Sequence, residues 1–242
     1  MATKIQQEVQ SSYAIPGEDY DSIRLRQPRG LLLSNFDVAL VSEMVKDIPR
    51  DATTLEAGAG TGRFTIPMIK LGFAPIATDI NESLLATLRA RLAEENLVGR
   101  CTVQNESIFE LSFPDDEFDF IYCIHVIPRF LCLEDQVKAI AELARVLKPG
   151  GRLLFNFSNR NSLLGKLAKR FVTPFDDMER ALSNAGLRVL QRRGKRFMTR
   201  GVLNRLPLTA GKALAGVERR LANVAPSKAW DQFVLVEKRT AV

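Results

Sequence analysis

Five short apolar runs alternate with helix-length segments through most of this 242-residue chain. They are TTLEA (Thr53–Ala57), APIATDI (Ala74–Ile80), CTVQ (Cys101–Gln104), FDFIYCI (Phe118–Ile124) and RLLFNFS (Arg152–Ser158). Each is bounded by turn residues, as a buried strand is. The intervening segments read as helices over Gly62–Leu71, Asn81–Glu95 and Leu133–Leu147. In the second, Leu84, Leu85, Leu88 and Leu92 share a face; in the third, Val137, Ile140, Ala144 and Leu147 keep step. LKPGG then stops that helix, because proline cannot continue it and glycine tolerates the turn. Such alternation predicts a parallel sheet with helices on both faces. Right-handed crossovers make it a doubly wound α/β fold.

The remainder reads differently. TPFDDMERALSNAG predicts a helix with Thr173 as N-cap, Pro174 at its first position and Gly186 past its end. Leu187–Arg193 and Trp230–Lys238 read as two more strands, with an insert over Gly194–Ala229 between them. Between Arg188 and Arg220 there are ten Lys/Arg and one acidic residue, Glu218, within a net charge of +6. A run of this kind can face phosphates or an anionic membrane, or be only a solvated face. The first 30 residues, with Pro16, Gly17, Pro28 and Gly30, read as loosely structured. A single domain over 1–242 is expected. No apolar run reaches the roughly 18 residues of a membrane span, and MATKIQQEVQSSY lacks the apolar middle of a secretory signal. The expected location is cytoplasmic. Three cysteines (Cys101, Cys123, Cys132) and one histidine argue against disulfides and against a metal site.

The densest signal is TLEAGAGTGRF, Thr54–Phe64. Gly58, Gly60 and Gly62 follow the first strand, where a doubly wound sheet places its ligand. Without Cβ atoms the backbone there can approach a ligand closely. Dinucleotide enzymes need GxGxxG. Counted from Gly58, the third glycine position holds Arg63, so the spacing is GxGxG and a pyrophosphate cradle is disfavoured. Asp79 ends the second strand. Its carboxylate can accept from both hydroxyls of a ribose, each such bond being worth roughly 1.5–3 kcal/mol. The competing role for Asp79 is a cap or turn residue for the helix beginning near Asn81.

LEAGAGTGRF, ATDI, FPDDEFDFIYCIHVI and ELARVLKPGGRLLF together resemble the successive motifs of class I S-adenosylmethionine-dependent methyltransferases. The resemblance is to their small-molecule subgroup, which includes ubiquinone/menaquinone-type and natural-product enzymes. It covers about 20–158, and 230–238 fits the family's terminal antiparallel strand. It implies a Rossmann-like sheet of seven strands, mostly parallel, in the order 3-2-1-4-5-7-6 with strand 7 antiparallel. It implies S-adenosylmethionine as cofactor. Glu56 to Gly62, including Gly58, Ala59 and Gly60, would hold its amino acid end. Asp79 would bind the ribose and Ile80 would pack on adenine. Ser107 falls where the family usually has an aspartate for the adenine amino group, and Ile108 where a small residue is common. Cys123 ends the fourth strand beside the place of the methyl group. Tyr20 lies in the stretch that relatives fold over the cofactor, which makes 1–30 a covering segment, with Arg24 and Arg29 as possible helpers.

Methyl transfer from a sulfonium is an in-line displacement, so alignment supplies much of the rate. A hydroxyl acceptor also needs its proton removed. His125, just past the fourth strand, is the candidate general base; the alternative is a pocket-wall or core histidine. Arg129 could pair with an anionic acceptor or lie on the surface. The chain lacks the [DN]-P-P-[YF] sequence of base-amine methylation and a Pro-Cys nucleophile pair, so nucleic acid is not an expected partner. Segments 159–172 (helical from Ser162) and 194–229 read as basic amphipathic lids, suited to a hydrophobic or lipid- or glycan-linked acceptor, with possible peripheral membrane contact. The expected reaction is methyl transfer to an oxygen of a small molecule. The alternatives are C-methylation of a quinone precursor, a non-catalytic S-adenosylmethionine-binding partner or regulatory protein, and a nicotinamide-dependent oxidoreductase.

Overall fold

The computed structural model describes residues 28–168, 171–195, 220 and 224–240. Tyr20, Arg24 and most of the 194–229 insert lie outside the described residues. The chain divides after Phe113 into two compact units.

The first unit runs α1 (Pro28–Met44), β1 (Thr54–Ala57), α2 (Thr65–Lys70), β2 (Pro75–Asp79), α3 (Glu82–Glu94) and β3 (Thr102–Asn105). β1 and β2 pair in parallel with Glu56 opposite Ala77; β2 and β3 pair in parallel with Asp79 opposite Asn105. All four residues of β1 are buried, the polar Thr54 and Glu56 included. Leu84, Leu85, Leu88 and Leu92 of α3 pack with Ala59, Ile69 and Ala77 in one apolar cluster. Each such leucine contributes about 1.5–3 kcal/mol by burial. Asn81 starts α3, its side-chain oxygen accepting from the Ser83 and Leu84 N–H groups at 2.9 and 3.3 Å. α2 begins at Thr65, not at Gly62, because Gly58, Gly60 and Gly62 have φ of +82°, +56° and +89°, which no α-helix accommodates. The expectation of a loosely structured start is corrected at its boundary: Pro28–Gly30 already belong to α1.

The second unit runs β4 (Phe118–Cys123), a 3-10 turn (Ile127–Arg129), α4 (Leu133–Val146), β5 (Leu147–Ser158), α5 (Leu163–Lys166), α6 (Phe175–Asn184), β6 (Leu187–Lys195), a second 3-10 turn (Pro226–Lys228) and β7 (Asp231–Lys238). β4 and β5 are parallel; β7 pairs antiparallel with both β5 and β6. Phe118, Phe120, Tyr122, Phe155, Phe157 and Phe233 are completely buried and form its aromatic core. LKPGG does end α4 at Val146, but the chain continues without a break into β5.

Two expectations fail locally. Thr173 is not the cap of α6; Pro174 holds that position and makes no side-chain bond. Thr173 instead forms a β-bridge with Asn159, and its hydroxyl donates to Gln136 Oε1 at 2.6 Å. The basic amphipathic helix expected from Ser162 to Phe171 is only four residues long, Leu163–Lys166, with Leu167 left 74% exposed.

The sheet has seven strands in the order β3-β2-β1-β4-β5-β7-β6, as expected. Among the described residues no helix is long and apolar enough to cross a membrane, and no cluster of His, Cys, Asp or Glu could hold a metal.

Candidate active site

The glycine turn is tied by hydrogen bonds mainly to the end of β2. The N–H groups of Gly58 and Ala59 donate to Thr78 O at 2.7 and 2.8 Å, and that of Gly62 to Ala59 O at 3.0 Å. The Gly60 N–H donates to Asp79 Oδ2 at 2.8 Å. Three of these donors are thus engaged by the end of β2 and one within the turn, whereas a pyrophosphate cradle directs its backbone N–H groups at the anion. What the turn offers a ligand is bare backbone. A Cβ added at Gly60 would meet nothing within 4 Å.

Asp79 stands at the end of β2, half-buried, and is not the cap of α3, since Asn81 is. Its Oδ1 accepts from the Asn81 N–H at 2.9 Å. A carboxylate has about four acceptor positions, so the N–H groups of Gly60, Asn81 and Ile80 leave acceptor capacity for a sugar. Burial pushes the Asp79 carboxyl above its usual range; the N–H groups of Asn81, Gly60 and Ile80 hold it back in part. Ionisation thus costs more here than for an exposed aspartate, and a hydroxyl that donates to the carboxylate offsets part of that cost.

That direction fixes a pH dependence. Donors on a ribose bind the ionised carboxylate, so they lower its pKa on binding. Affinity is then full above the pKa of the free protein and lost as pH falls through it. Because that pKa is raised, calorimetric titrations with S-adenosylhomocysteine should show affinity beginning to fall at a higher pH than an exposed aspartate would give. The weak binding left in Asp79→Asn should lack this step.

Several supports were not legible beforehand. Asn105 Nδ2 donates to both Asp79 O and Ile80 O at 3.0 Å, and the Glu106 N–H donates to Asp79 O at 3.2 Å. The end of β3 thereby holds the turn that presents Asp79 and Ile80. Glu56 is buried and accepts from the Thr65 hydroxyl at 2.5 Å. Arg91 of α3 donates to Thr61 O at 3.1 Å and steadies the glycine turn. Arg63, at the missing third glycine position, pairs with the buried Asp37 of α1 at 2.5 Å. Ser107 sits in a tight turn, bridged to Glu110, with its hydroxyl accepting from the Phe109 N–H at 3.3 Å. Ile108 is half-exposed in the same turn.

Glu56, Gly58, Ala59, Gly60, Asp79, Ile80, Ser107 and Ile108 all belong to the first unit; Cys123 and His125 belong to the second. Cys123 is fully buried at the end of β4, opposite Phe155. His125 is half-buried with φ +66°, and its backbone N–H donates to Asn156 Oδ1 at 2.6 Å. Arg129 is exposed. Cys101 is no nucleophile: burial first, and the Glu56 charge second, push its thiol up to about 12.

A family model described as a methyltransferase domain matches residues 55–155, the span that carries the glycine turn, Asp79 and β4–β5. Over these residues the chain is similar to methyltransferase domains. The ubiquinone/menaquinone biosynthesis C-methyltransferase UbiE of a Marinomonas strain is 39% identical over 114 residues, covering 46% of this chain and 44% of that protein. The chain spans about half the length, or less, of the curated relatives it matches. Among solved structures, the magnesium protoporphyrin IX methyltransferase ChlM of Synechocystis PCC 6803, with bound S-adenosylmethionine, is similar at a TM-score of 0.57 and 14% identity, covering 98% of this chain and 85% of that one. The [4+2]-cyclase SpnF reaches a TM-score of 0.61 at 18% identity, with 84% and 81% covered. At these identities the likeness is one of methyltransferase fold alone.

Proposed function

We propose that this chain is an enzyme that transfers the methyl group of S-adenosylmethionine to a small-molecule acceptor. The observation that carries the reading is the glycine turn beside Asp79: bare backbone, N–H groups of Gly58, Ala59, Gly60 and Gly62 already bonded to β2 or within the turn, and a carboxylate with spare acceptor capacity. A nucleoside without phosphates fits that set, because it needs close approach and hydroxyl acceptors but no anion cradle. A nicotinamide dinucleotide does not.

The residues present fit the cofactor. Asp79 would take the ribose hydroxyls, Ile80 and Ile108 would flank adenine, and Ser107 would supply a weaker adenine contact than an aspartate. Gly58 to Gly62 and Glu56 would hold the amino acid end. The bound cofactor supplies an electrophilic methyl on sulfur. The chain's own part is to orient the acceptor and keep water away.

Carbon is the acceptor atom we favour over oxygen, since the UbiE relatives are C-methyltransferases by name. The nearness in fold to a cyclase gives a second reading, a cofactor-binding protein with other chemistry. The test is transfer of labelled methyl groups to a panel of phenolic, quinone-precursor and glycan-linked acceptors. Label in a carbon-methylated product is expected. Tight cofactor binding with no transfer across the panel would favour the second reading. The four-residue α5 is too short to be an amphipathic membrane helix, so no membrane role is proposed for it.

A further inference from the structure

Glu106 ties both ends of the loop that follows β3. Its backbone N–H donates to Asp79 O at 3.2 Å, which fixes the start of the loop to the end of β2. Its side chain then reaches six residues ahead. Oε2 accepts from the Ser112 N–H at 3.2 Å, and Oε1 accepts from the Ser112 hydroxyl. Inside this clasp the Glu110 N–H donates to Ser107 O at 3.0 Å, and Leu111 is buried. Glu106 is half-buried and Ser112 is exposed. All of these residues belong to the first unit.

Residues 106–112 form no helix or strand; the bridge between Ser107 and Glu110 is their one regular pairing. A segment of this kind depends on side chains to hold its shape. Ser112 presents two donors, an N–H and an O–H, and a carboxylate can meet both with one oxygen each. Bonds to an ionised acceptor are also the shorter and stronger kind. The order they impose matters for binding. Backbone that is fixed only when a ligand arrives takes its ordering cost out of the binding free energy, whereas backbone fixed beforehand does not.

We propose that Glu106 is a positioning residue whose clasp on Ser112 holds the loop 106–112 preformed beside Asp79, so that Ile108 meets the adenine ring on a surface already in place. Glu106 acts through the loop, with its carboxylate turned to Ser112. Ser112 therefore separates this role from a direct contact between Glu106 and the ligand: if Glu106 touched the ligand itself, the exposed hydroxyl at Ser112 would not matter. The adenine assignment rests on the methyl-donor reading; the clasp does not.

Calorimetric titration of the full chain with S-adenosylhomocysteine tests the proposal. Glu106→Ala should weaken binding about tenfold or more, and Ser112→Ala about threefold or more, because each removes charge-assisted bonds from the clasp. Ser112→Thr keeps the hydroxyl and should stay within about twofold of wild type. The double variant Glu106→Ala/Ser112→Ala should bind no more weakly than Glu106→Ala, since the two side chains act as one unit. Wild-type affinity in Glu106→Ala or Ser112→Ala would overturn the proposal, as would losses that multiply in the double variant. Amide exchange of the ligand-free protein reads the clasp independently. The Glu110 and Ser112 N–H groups should exchange about tenfold faster in Ser112→Ala than in wild type, with those of Leu85 and Leu88 in α3 unchanged. Equal rates at Glu110 and Ser112 would overturn it. If the wild type binds no S-adenosylhomocysteine, the cofactor reading fails, and the exchange rates still decide whether Glu106 holds the loop.

Discussion

Gly60→Ala should weaken cofactor binding by about 100-fold or more, equivalent to about 3 kcal/mol, and leave the protein folded. Gly60 has φ +56°, where an alanine costs about 1–2 kcal/mol. For a chain of this size that strain lowers Tm by about 2–8 °C. A methyl group at Gly60 meets no protein atom within 4 Å, so packing adds nothing to the cost. The methyl instead occupies the space a closely approaching ligand would fill. It also strains the residue whose N–H is bonded to Asp79. Calorimetry with S-adenosylhomocysteine and a thermal melt on the same sample separate the two effects.

Gly62→Ala should do the reverse. Its Cβ would fall 2.5 Å from Leu88 Cδ1, and its φ is +89°. Leu88 is fully buried in the cluster under α3 and has little room to yield. Left-handed strain of about 1–2 kcal/mol adds to overpacking of about 1–3 kcal/mol. The sum is a large share of a typical stability of about 5–15 kcal/mol. Thermal and urea unfolding should show a loss of about 2–5 kcal/mol. In a double-mutant cycle, Gly62→Ala combined with Leu88→Ala should cost clearly less than the two changes summed, because the second removes the atom the first collides with. Additive losses would mean that the backbone angle alone is at fault. Two glycines two positions apart thus serve different ends: Gly60 leaves room for a ligand, and Gly62 lets the turn sit on the helix behind it.

This division explains what could be read from the chain. Strand and helix alternation was legible because each run is buried on a fixed period, as the leucines of α3 show. The glycine turn was legible because positive φ has few substitutes. Asp79 could be placed at the strand end, but whether it caps α3 or serves a ligand depended on Asn81 taking the cap. The short α5 was not legible. Its amphipathic pattern continues to Phe171, but the Arg160 N–H donates to Thr173 O and the Thr173 N–H to Ser158 O at 3.0 Å each, which draws the following segment back to the end of β5. Helix α1 was missed because consecutive Leu31, Leu32 and Leu33 blur any helical period. Asn156 was missed because its bond to His125 spans 31 residues of sequence, and only the pairing of β4 with β5 brings the two together.

The central claim is that the turn after β1 and the carboxylate at the end of β2 hold a phosphate-free nucleoside. The direct measurement is calorimetric titration of the full chain with S-adenosylmethionine and, separately, with a nicotinamide dinucleotide, in wild type and Asp79→Ala. The account predicts one equivalent of S-adenosylmethionine bound by the wild type, at least tenfold weaker binding by the variant, and no dinucleotide binding by either. Equal S-adenosylmethionine affinity in both proteins, or saturable binding of the dinucleotide alone, would contradict it.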